Sequence, residues 1–278
     1  MLLEHIQEAR DKGLVPKMLV VINPGNPTGA LINPEEIKNI LKLAHKEDFV
    51  VLADEVYQRN IFNEGEFVSF KKARQQLVEE DPKYDSIQLA SCHSTSKGFI
   101  GECGQRGGYV ELVGFSSDFM DQFYKLASIS LCPVVTGQVL TELMVNPPQP
   151  GDESYEQFQE ETHYIQRTLQ ERAEHLYHAF DTVDGVDCQP PQGAMYLYPT
   201  IHLPQRAIEE AHRQGVAPDE MYCMDLLNNT GICVVPGSGF GQVEGTFHFR
   251  TTFLAPGGKD FSQRFIDFHT EFMNKYKN

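Results

Sequence analysis

The chain has 278 residues, enough for one large domain or two modest ones, and 41% of them are hydrophobic, which suffices for a buried core. The formal net charge of -16 argues against nucleic-acid binding, because a phosphate backbone is bound by a basic surface. No apolar run approaches the roughly 20 residues of a membrane span, so neither nucleic acid nor a membrane is expected as a partner.

The first predicted elements are a helix, a strand and a loop. Residues 1–10 are amphipathic and predict a helix that leads into the apolar run Met18–Ile22, which predicts a buried strand. Residues 23–29 then break regular structure with two prolines and two glycines, and predict a rigid loop. Asn26 in this loop is a candidate ligand contact, because its amide can donate to a phenolate oxygen.

A second buried strand is predicted over residues 49–53, after a helix over residues 34–45. The strand runs directly into Asp54 and Tyr57, and ligands of open α/β sheets bind outside the carboxyl ends of the strands. If the ligand were a cofactor with a pyridine ring, Asp54 could keep its ring nitrogen protonated, and Tyr57 could hydrogen-bond a hydroxyl group on that ring. The competing interpretation is that Asp54 caps a following helix and that Tyr57 is a core residue.

One lysine, Lys97, lies among hydroxyls and glycines, with Ser94 and Ser96 before it and Arg106 nine positions after it. A lysine amine can form a Schiff base with a carbonyl group, whereas serine hydroxyls and a guanidinium suit a phosphate dianion. Pyridoxal phosphate carries both groups, so this segment predicts a site for it. A solvated turn is the alternative interpretation.

The rest of the chain alternates helices with strands, which favours an α/β fold with a mainly parallel sheet. A helix is predicted over residues 118–131, a break over 146–152, and a long charged helix over 155–183. We interpret the long helix as the bridge between two domains, residues 1–152 and 153–278, the second being a small α+β domain.

Three further segments of this second domain have predicted structures. Residues 193–198 and 248–251 predict strands. The glycine-rich run 237–241 has no basic residue after it, so we interpret it as a loop near the substrate and not as a nucleotide loop.

Six cysteines are scattered along the chain without a CxxC or zinc-like spacing. This pattern predicts no metal site and indicates reduced thiols, as expected of a protein of the cytoplasm or the mitochondrial matrix.

Four motifs occur in a characteristic order: Asn-Pro-Gly-Asn-Pro-Thr-Gly at 23–29, Ala-Asp-Glu-Val-Tyr at 53–57, Ser-Thr-Ser-Lys at 94–97 and Arg-Gly-Gly at 106–108. Together they resemble the pyridoxal-phosphate aminotransferases of fold type I, class I. The resemblance covers nearly the whole chain, and the ordered set is far more specific than any one motif. The segments 93–98, 231–241 and 247–250 are most similar to alanine aminotransferases.

The resemblance implies roles for the cofactor-binding residues. Lys97 would form the Schiff base and later carry the proton, and Asp54 would pair with the pyridine nitrogen. Tyr57 and Asn26 would hydrogen-bond the ring hydroxyl. The phosphate would be held by the three remaining cofactor residues, Ser94, Ser96 and Arg106.

The resemblance also implies a substrate class. Arg250 would hold the substrate α-carboxylate in two parallel hydrogen bonds, with Asn26 beside it. The implied reaction is a ping-pong transfer of an amino group from an L-amino acid, alanine, to a 2-oxo acid, 2-oxoglutarate, in an enzyme that is a homodimer when complete.

Family members carry a substrate-covering arm, a phosphate-cradling loop and a stacked aromatic residue in the region that would precede Met18. No counterpart of these is present in the chain, so we expect it to be the carboxyl-terminal part of a longer enzyme, with an incomplete large domain and doubtful activity alone. Two alternatives stay open: a lyase or synthase that uses the same cofactor and fold, and a non-catalytic truncated chain.

Overall fold

The computed structural model describes residues 2–62, 65–255 and 257–277. The chain divides into two compact units. The first comprises Met1–Pro24, Leu31–Arg59 and Glu66–Asp152. The second comprises Gly25–Ala30, Asn60–Gly65 and Glu153–Asn278. The main division thus falls after Asp152, and two short segments of the amino-terminal half belong to the second unit.

The first unit contains a four-stranded sheet in the order β1-β2-β3-β4. Its strands are β1 (Met18–Ile22), β2 (Val50–Asp54), β3 (Leu89–Ser94) and β4 (Gly108–Val113). The first three strands are parallel and β4 is antiparallel to β3. The carboxyl ends of β1, β2 and β3 therefore lie at one edge of the sheet, as the sequence predicted for an α/β fold with a mainly parallel sheet.

The helices of the first unit are α1 (Leu2–Asp11), α2 (Pro34–Glu47), α3 (Phe70–Glu80), α4 (Ser117–Ala127) and α5 (Val135–Val145). The predicted helices at 1–10, 34–45 and 118–131 are confirmed with shifted ends. Helix α2 begins at a capping box, in which the Asn33 side chain accepts from the Glu36 amide and the Glu36 carboxylate accepts from the Asn33 amide. It ends at Asp48, whose backbone is left-handed.

The core of this unit lies between the sheet and the helices α2 and α3. Ile37 and Leu41 of α2 and Leu77 of α3 are fully buried against Val51 of β2 and Leu89 of β3. The apolar face of each helix repeats every three to four residues, which places these side chains on the sheet.

The prediction that Met18–Ile22 is a buried strand is wrong in one respect. The strand is present, but Met18 is 52% and Val20 57% exposed. Within the described residues β1 lies at the edge of the sheet and pairs only with β2, so one of its sides has no neighbouring strand. The second predicted strand begins one residue later than expected, at Val50, and includes Asp54.

The second unit contains α6 (Tyr155–Asp181), α7 (Gln205–Gln214), α8 (Pro218–Thr230) and α9 (Gly258–Lys275). Its short strands are β5 (Val186–Asp187), β6 (Tyr196–Leu197), β7 (Thr200–Ile201), β8 (Val235–Pro236) and β9 (Phe249–Thr252). Strand β9 lies between β6 and β8, antiparallel to both, and β5 pairs with β7. This unit is α+β, as the sequence predicted for the carboxyl-terminal region.

Three predicted elements of this unit have different bounds. The long helix ends at Asp181 instead of 183, and the strand predicted over 193–198 is only Tyr196–Leu197. The loop predicted over 237–241 contains one 3-10 turn, Gly237–Phe240.

Aromatic rings fill the core of the second unit. Phe180, Phe249 and Phe265 are fully buried, with ring centroids 4.9 to 5.8 Å apart. The hydroxyl of buried Tyr222 lies 2.8 Å from Nδ1 of His269, and burial lowers the pKa of that imidazole.

Among the described residues, no helix is long and apolar enough to span a bilayer.

Candidate active site

Asp54 is the last residue of β2 and Tyr57 lies three positions after it, at the sheet edge where ligands of α/β proteins bind. The Oδ1 atom of Asp54 accepts a hydrogen bond from the Val56 amide at 3.2 Å. Residues 56–59 form a turn and not a helix, so Asp54 is not a helix cap. Tyr57 is buried, with 3% of its surface exposed.

Glu55 is a buried carboxylate between these two residues, and sequence reasoning gave it no role. Its amide donates to the Cys92 carbonyl at 3.1 Å, and its Oε1 accepts from the Phe70 amide at 2.7 Å. Burial raises the pKa of Glu55 to about 7, and the charges of Asp54 and Glu111 act in the same direction. The Phe70 hydrogen bond opposes them. Glu55 thus connects β2, β3 and the start of α3.

The loop between β3 and β4 brings together the residues predicted to hold a phosphate. The Ser94 hydroxyl donates to the Gly107 carbonyl at 3.1 Å, and its oxygen accepts from the Ser96 amide at 3.0 Å. A guanidinium nitrogen of Arg106 lies 3.4 Å from Oγ of Ser96. Ser94, Ser96 and Arg106 therefore form one hydrogen-bonded chain, because β3 and β4 are antiparallel neighbours and Ser94 pairs with Gly108.

Arg106 has a left-handed backbone, with φ at 56°, which a non-glycine residue adopts at some cost in energy. Its guanidinium also donates to the Cys103 carbonyl at 2.9 Å. The backbone of Arg106 packs closely against Gly137 of α5. A Cβ atom on Gly137 would lie 2.4 Å from the Arg106 carbonyl oxygen. A glycine is therefore required at Gly137 for α5 to approach the loop.

Lys97 lies in the same loop and its side chain is exposed. The Lys97 carbonyl accepts from the Gly101 amide at 3.3 Å, which closes a turn around the lysine. Two residues further on, the Phe99 ring lies 4.7 Å from the Arg59 guanidinium carbon. This contact fixes the loop to the turn that follows β2.

Asn26 and Arg250 form a separate cluster in the second unit. Arg250 lies on β9 and donates to Oδ1 of Asn26 at 2.8 Å, although the two residues are 224 positions apart. The guanidinium carbon is 4.5 Å from the ring centroid of Tyr196 and 5.0 Å from that of Phe240. Two aromatic rings and an amide thus orient one guanidinium. Among the described residues the buried Nε of Arg250 has no hydrogen-bond partner.

The residues present fit pyridoxal phosphate by their chemistry. The loop after β3 supplies a guanidinium and two hydroxyls in one chain, which suits a phosphate dianion, and an exposed amine, which suits an aldehyde. Asp54 at the end of β2 is the carboxylate partner that a pyridine nitrogen needs. Within the described residues there is no cluster of three or more side chains suited to a metal ion.

Sequence reasoning found the side chains with strong motifs and missed those that support them. Glu55, Tyr196 and Phe240 were not assigned roles. Glu55 had one visible signal, a carboxylate directly after a buried strand, where an unpaired charge is costly. Tyr196 and Phe240 had none, because their contact with Arg250 depends on the tertiary fold.

The chain matches the sequence model of aminotransferases of class I and II over residues 1–267. It belongs to that family, and its fold is that of the fold type I aminotransferases.

Relatives that are similar to this chain include alanine aminotransferases. Two from Saccharomyces cerevisiae cover 98% of this chain: the inactive alanine aminotransferase, 54% identical, and the mitochondrial alanine aminotransferase, 55% identical. The chain covers 54% and 46% of these relatives, so it spans about half their length. Among solved structures, alanine aminotransferase from Pyrococcus furiosus is 28% identical over 96% of this chain and 61% of its own, with a TM-score of 0.74.

Proposed function

We propose that this chain carries active-site residues of a pyridoxal-phosphate-dependent aminotransferase that transfers an amino group from L-alanine to 2-oxoglutarate. The hydrogen-bonded chain of Ser94, Ser96 and Arg106 beside the exposed Lys97 carries this proposal. The choice of alanine is supported by the relatives' names, which include a mitochondrial alanine aminotransferase of Arabidopsis thaliana, 47% identical.

Pyridoxal phosphate, when bound, supplies an aldehyde for covalent attachment and a ring that withdraws electrons from the substrate Cα. The Arg106 guanidinium and the hydroxyls of Ser94 and Ser96 would hold the phosphate. Lys97 Nζ would hold the aldehyde carbon covalently, and its amine, when free, would be the base that takes up the proton of the substrate Cα.

The remaining residues orient the ring and the substrate. The Asp54 carboxylate would keep the ring nitrogen protonated, and Tyr57 would donate to the ring hydroxyl oxygen. Oδ1 of Asn26 accepts from Arg250, so Asn26 would act toward the ring hydroxyl through its Nδ2 group. Arg250 would bind the substrate α-carboxylate in two parallel hydrogen bonds.

A covalent-trapping experiment tests this function. Pyridoxal phosphate is added to the purified chain, followed by borohydride reduction and peptide mapping by mass spectrometry. The adduct should be on the peptide that contains Lys97 and should be lost in Lys97→Arg but kept in Lys125→Arg, which removes another exposed lysine. Adducts spread over many lysines, or unchanged in Lys97→Arg, would refute the assignment.

The two alternatives predict different outcomes in the same preparation. A lyase or synthase would trap cofactor on Lys97 but release an α,β-elimination product or a cyclised product, instead of pyruvate from alanine. A non-catalytic chain would give no specific adduct and no pyruvate. Pyruvate formation that requires 2-oxoglutarate would support the aminotransferase.

The assembly and compartment are also proposals. A homodimer is supported by the family resemblance, and light scattering of the purified protein tests it. A cytoplasmic or mitochondrial location is supported by relatives named as mitochondrial. Fractionation of cells that express the protein from its own gene tests the location.

A further inference from the structure

A buried carboxylate at the start of α8 lies outside the proposed catalytic residues. Asp219 is 1% exposed, and its Oδ2 accepts from the Ser238 amide at 2.7 Å and from Nε2 of Gln242 at 3.2 Å. A buried carboxylate is costly unless hydrogen bonds satisfy it. Both of its donors belong to residues 237–242, which we call the glycine loop, so the hydrogen bonds of Asp219 are directed to one segment.

The glycine loop is tied to the strand that carries Arg250. Gln242, which donates to Asp219, also accepts from the His248 amide at 3.1 Å through its Oε1. At the other end of the loop, the Gly237 amide donates to the His248 carbonyl at 2.7 Å. A Cβ atom on Gly237 would lie 2.2 Å from Oε1 of Gln242, so the loop is packed closely where it meets His248.

The same loop carries one of the two rings that contact Arg250. Phe240 is half-buried and lies 5.0 Å from the guanidinium carbon. Tyr196, the other ring, is held in β6 by pairing with β9. Phe240 is the last residue of a 3-10 turn and belongs to no strand. Apart from its contact with the Tyr198 ring, its position depends on what anchors the loop.

We propose that Asp219 is a positioning residue that anchors the glycine loop and so keeps Phe240 against Arg250. Asp219 does not contact the guanidinium itself. It acts through Ser238 and Gln242 on the loop, and through Phe240 on the orientation of Arg250. The consequence for carboxylate binding rests on the proposed function, whereas the anchoring of the loop does not.

A tryptophan reporter tests the anchoring without any activity measurement. The chain has no tryptophan, so Phe240→Trp introduces a single one at the ring position. In that background, Asp219→Ala should raise the acrylamide quenching constant of the tryptophan by about twofold or more, because the released loop opens locally. Asp219→Asn keeps an acceptor for the Ser238 amide and should give a smaller rise.

Two further variants keep the test decisive. Gln242→Ala removes only the side chain that bridges Asp219 and His248, and should raise quenching even if Asp219→Ala does not fold. Asp225→Ala removes another carboxylate of the same helix, ion-paired with Lys275 at 3.9 Å, and should leave quenching unchanged. If folded Asp219→Ala or Gln242→Ala protein shows the quenching of its parent, the anchoring role is wrong.

A kinetic measurement tests the consequence for the substrate if the chain transaminates. Asp219→Ala should raise KM for the amino acid by about tenfold and change kcat less, because a loosely held guanidinium weakens substrate binding, and Asp219→Asn should raise KM less. Increased quenching without any transamination would support the anchoring and contradict the proposed function. An unchanged KM in an active enzyme with increased quenching would overturn the link from Phe240 to Arg250.

Discussion

Replacing Glu55 with glutamine should stabilise the first unit at alkaline pH. The Glu55 side chain is 5% exposed, and burial is the largest cause that raises its pKa from the ordinary 4.5 to about 7. At about 1.4 kcal/mol for each pH unit, this displacement makes the charged form cost about 3 kcal/mol of folding free energy. Glutamine removes the charge and keeps an oxygen that can accept from the Phe70 amide.

The sign of the pH dependence follows from proton binding. The folded chain binds the Glu55 proton more tightly than the unfolded chain, so the contribution of Glu55 to stability is most favourable below about pH 4.5 and declines as pH rises to about 7. Above that pH the full cost of the charge is present. The Glu55→Gln variant should therefore equal its parent near pH 4.5 and exceed it by about 2–3 kcal/mol at pH 8.

Hydrogen–deuterium exchange measures this difference in each unit separately. Peptides from β2 and α3 should show slower exchange in Glu55→Gln than in the parent at pH 8, and peptides of the second unit serve as an internal reference. Glu79→Gln, which neutralises an exposed carboxylate on α3, is the matched control and should change little. Glu55→Ala loses the Phe70 hydrogen bond and should gain less. Equal or faster exchange in Glu55→Gln at pH 8 would refute the argument.

Two further substitutions test packing in the first unit. Buried Arg74 donates from Nε to the Ile87 carbonyl at 3.0 Å. Arg74→Met should lower the free energy of urea unfolding by about 2–3 kcal/mol, because it leaves buried acceptors without a hydrogen bond. A loss below about 0.5 kcal/mol would contradict this prediction. Gly137→Ala should cost about 1–3 kcal/mol because its Cβ meets the Arg106 carbonyl, whereas Gly104→Ala, with no atom within 4 Å of its Cβ, should cost little. Equal melting temperatures for the two alanine variants would contradict this prediction, because they would mean that the loop around Arg106 moves to accommodate the new Cβ atom.

The sequence was sufficient to predict elements that local chemistry determines. Helix α2 was predicted from Asn33 and Pro34 at its start, and the structure adds a capping box in which Glu36 takes part. Burial of strands was less predictable. Val20 and Val51 lie in similar apolar runs, but Val20 is exposed at a sheet edge and Val51 is fully buried. Burial depends on neighbouring strands, which a single run does not encode.

The clustering of Ser94, Ser96 and Arg106 was predictable because the last two are only ten positions apart, and a short loop between strands must bring its ends together. The roles of these side chains stay predictions. Glu55 was present in the same motif as Asp54, but its environment depends on α3, which begins at Phe70 and donates its first amide to the carboxylate. Ser69 caps this helix and is a local start signal, but no local pattern predicts that the first amide of the helix will meet Glu55.

The orientation of Arg250 is determined by residues that are distant from it in the sequence. Its hydrogen bond to Asn26 spans 224 positions, and its two aromatic contacts come from β6 and the glycine loop. A guanidinium on a flexible side chain loses conformational entropy when it binds a carboxylate, and contacts that fix it beforehand reduce that loss. The sequence motifs identify Arg250 itself. Asp219 acts on Arg250 only indirectly, through its hydrogen bonds to the glycine loop. Positioning residues such as Asp219 are therefore found from the folded chain and not from its motifs.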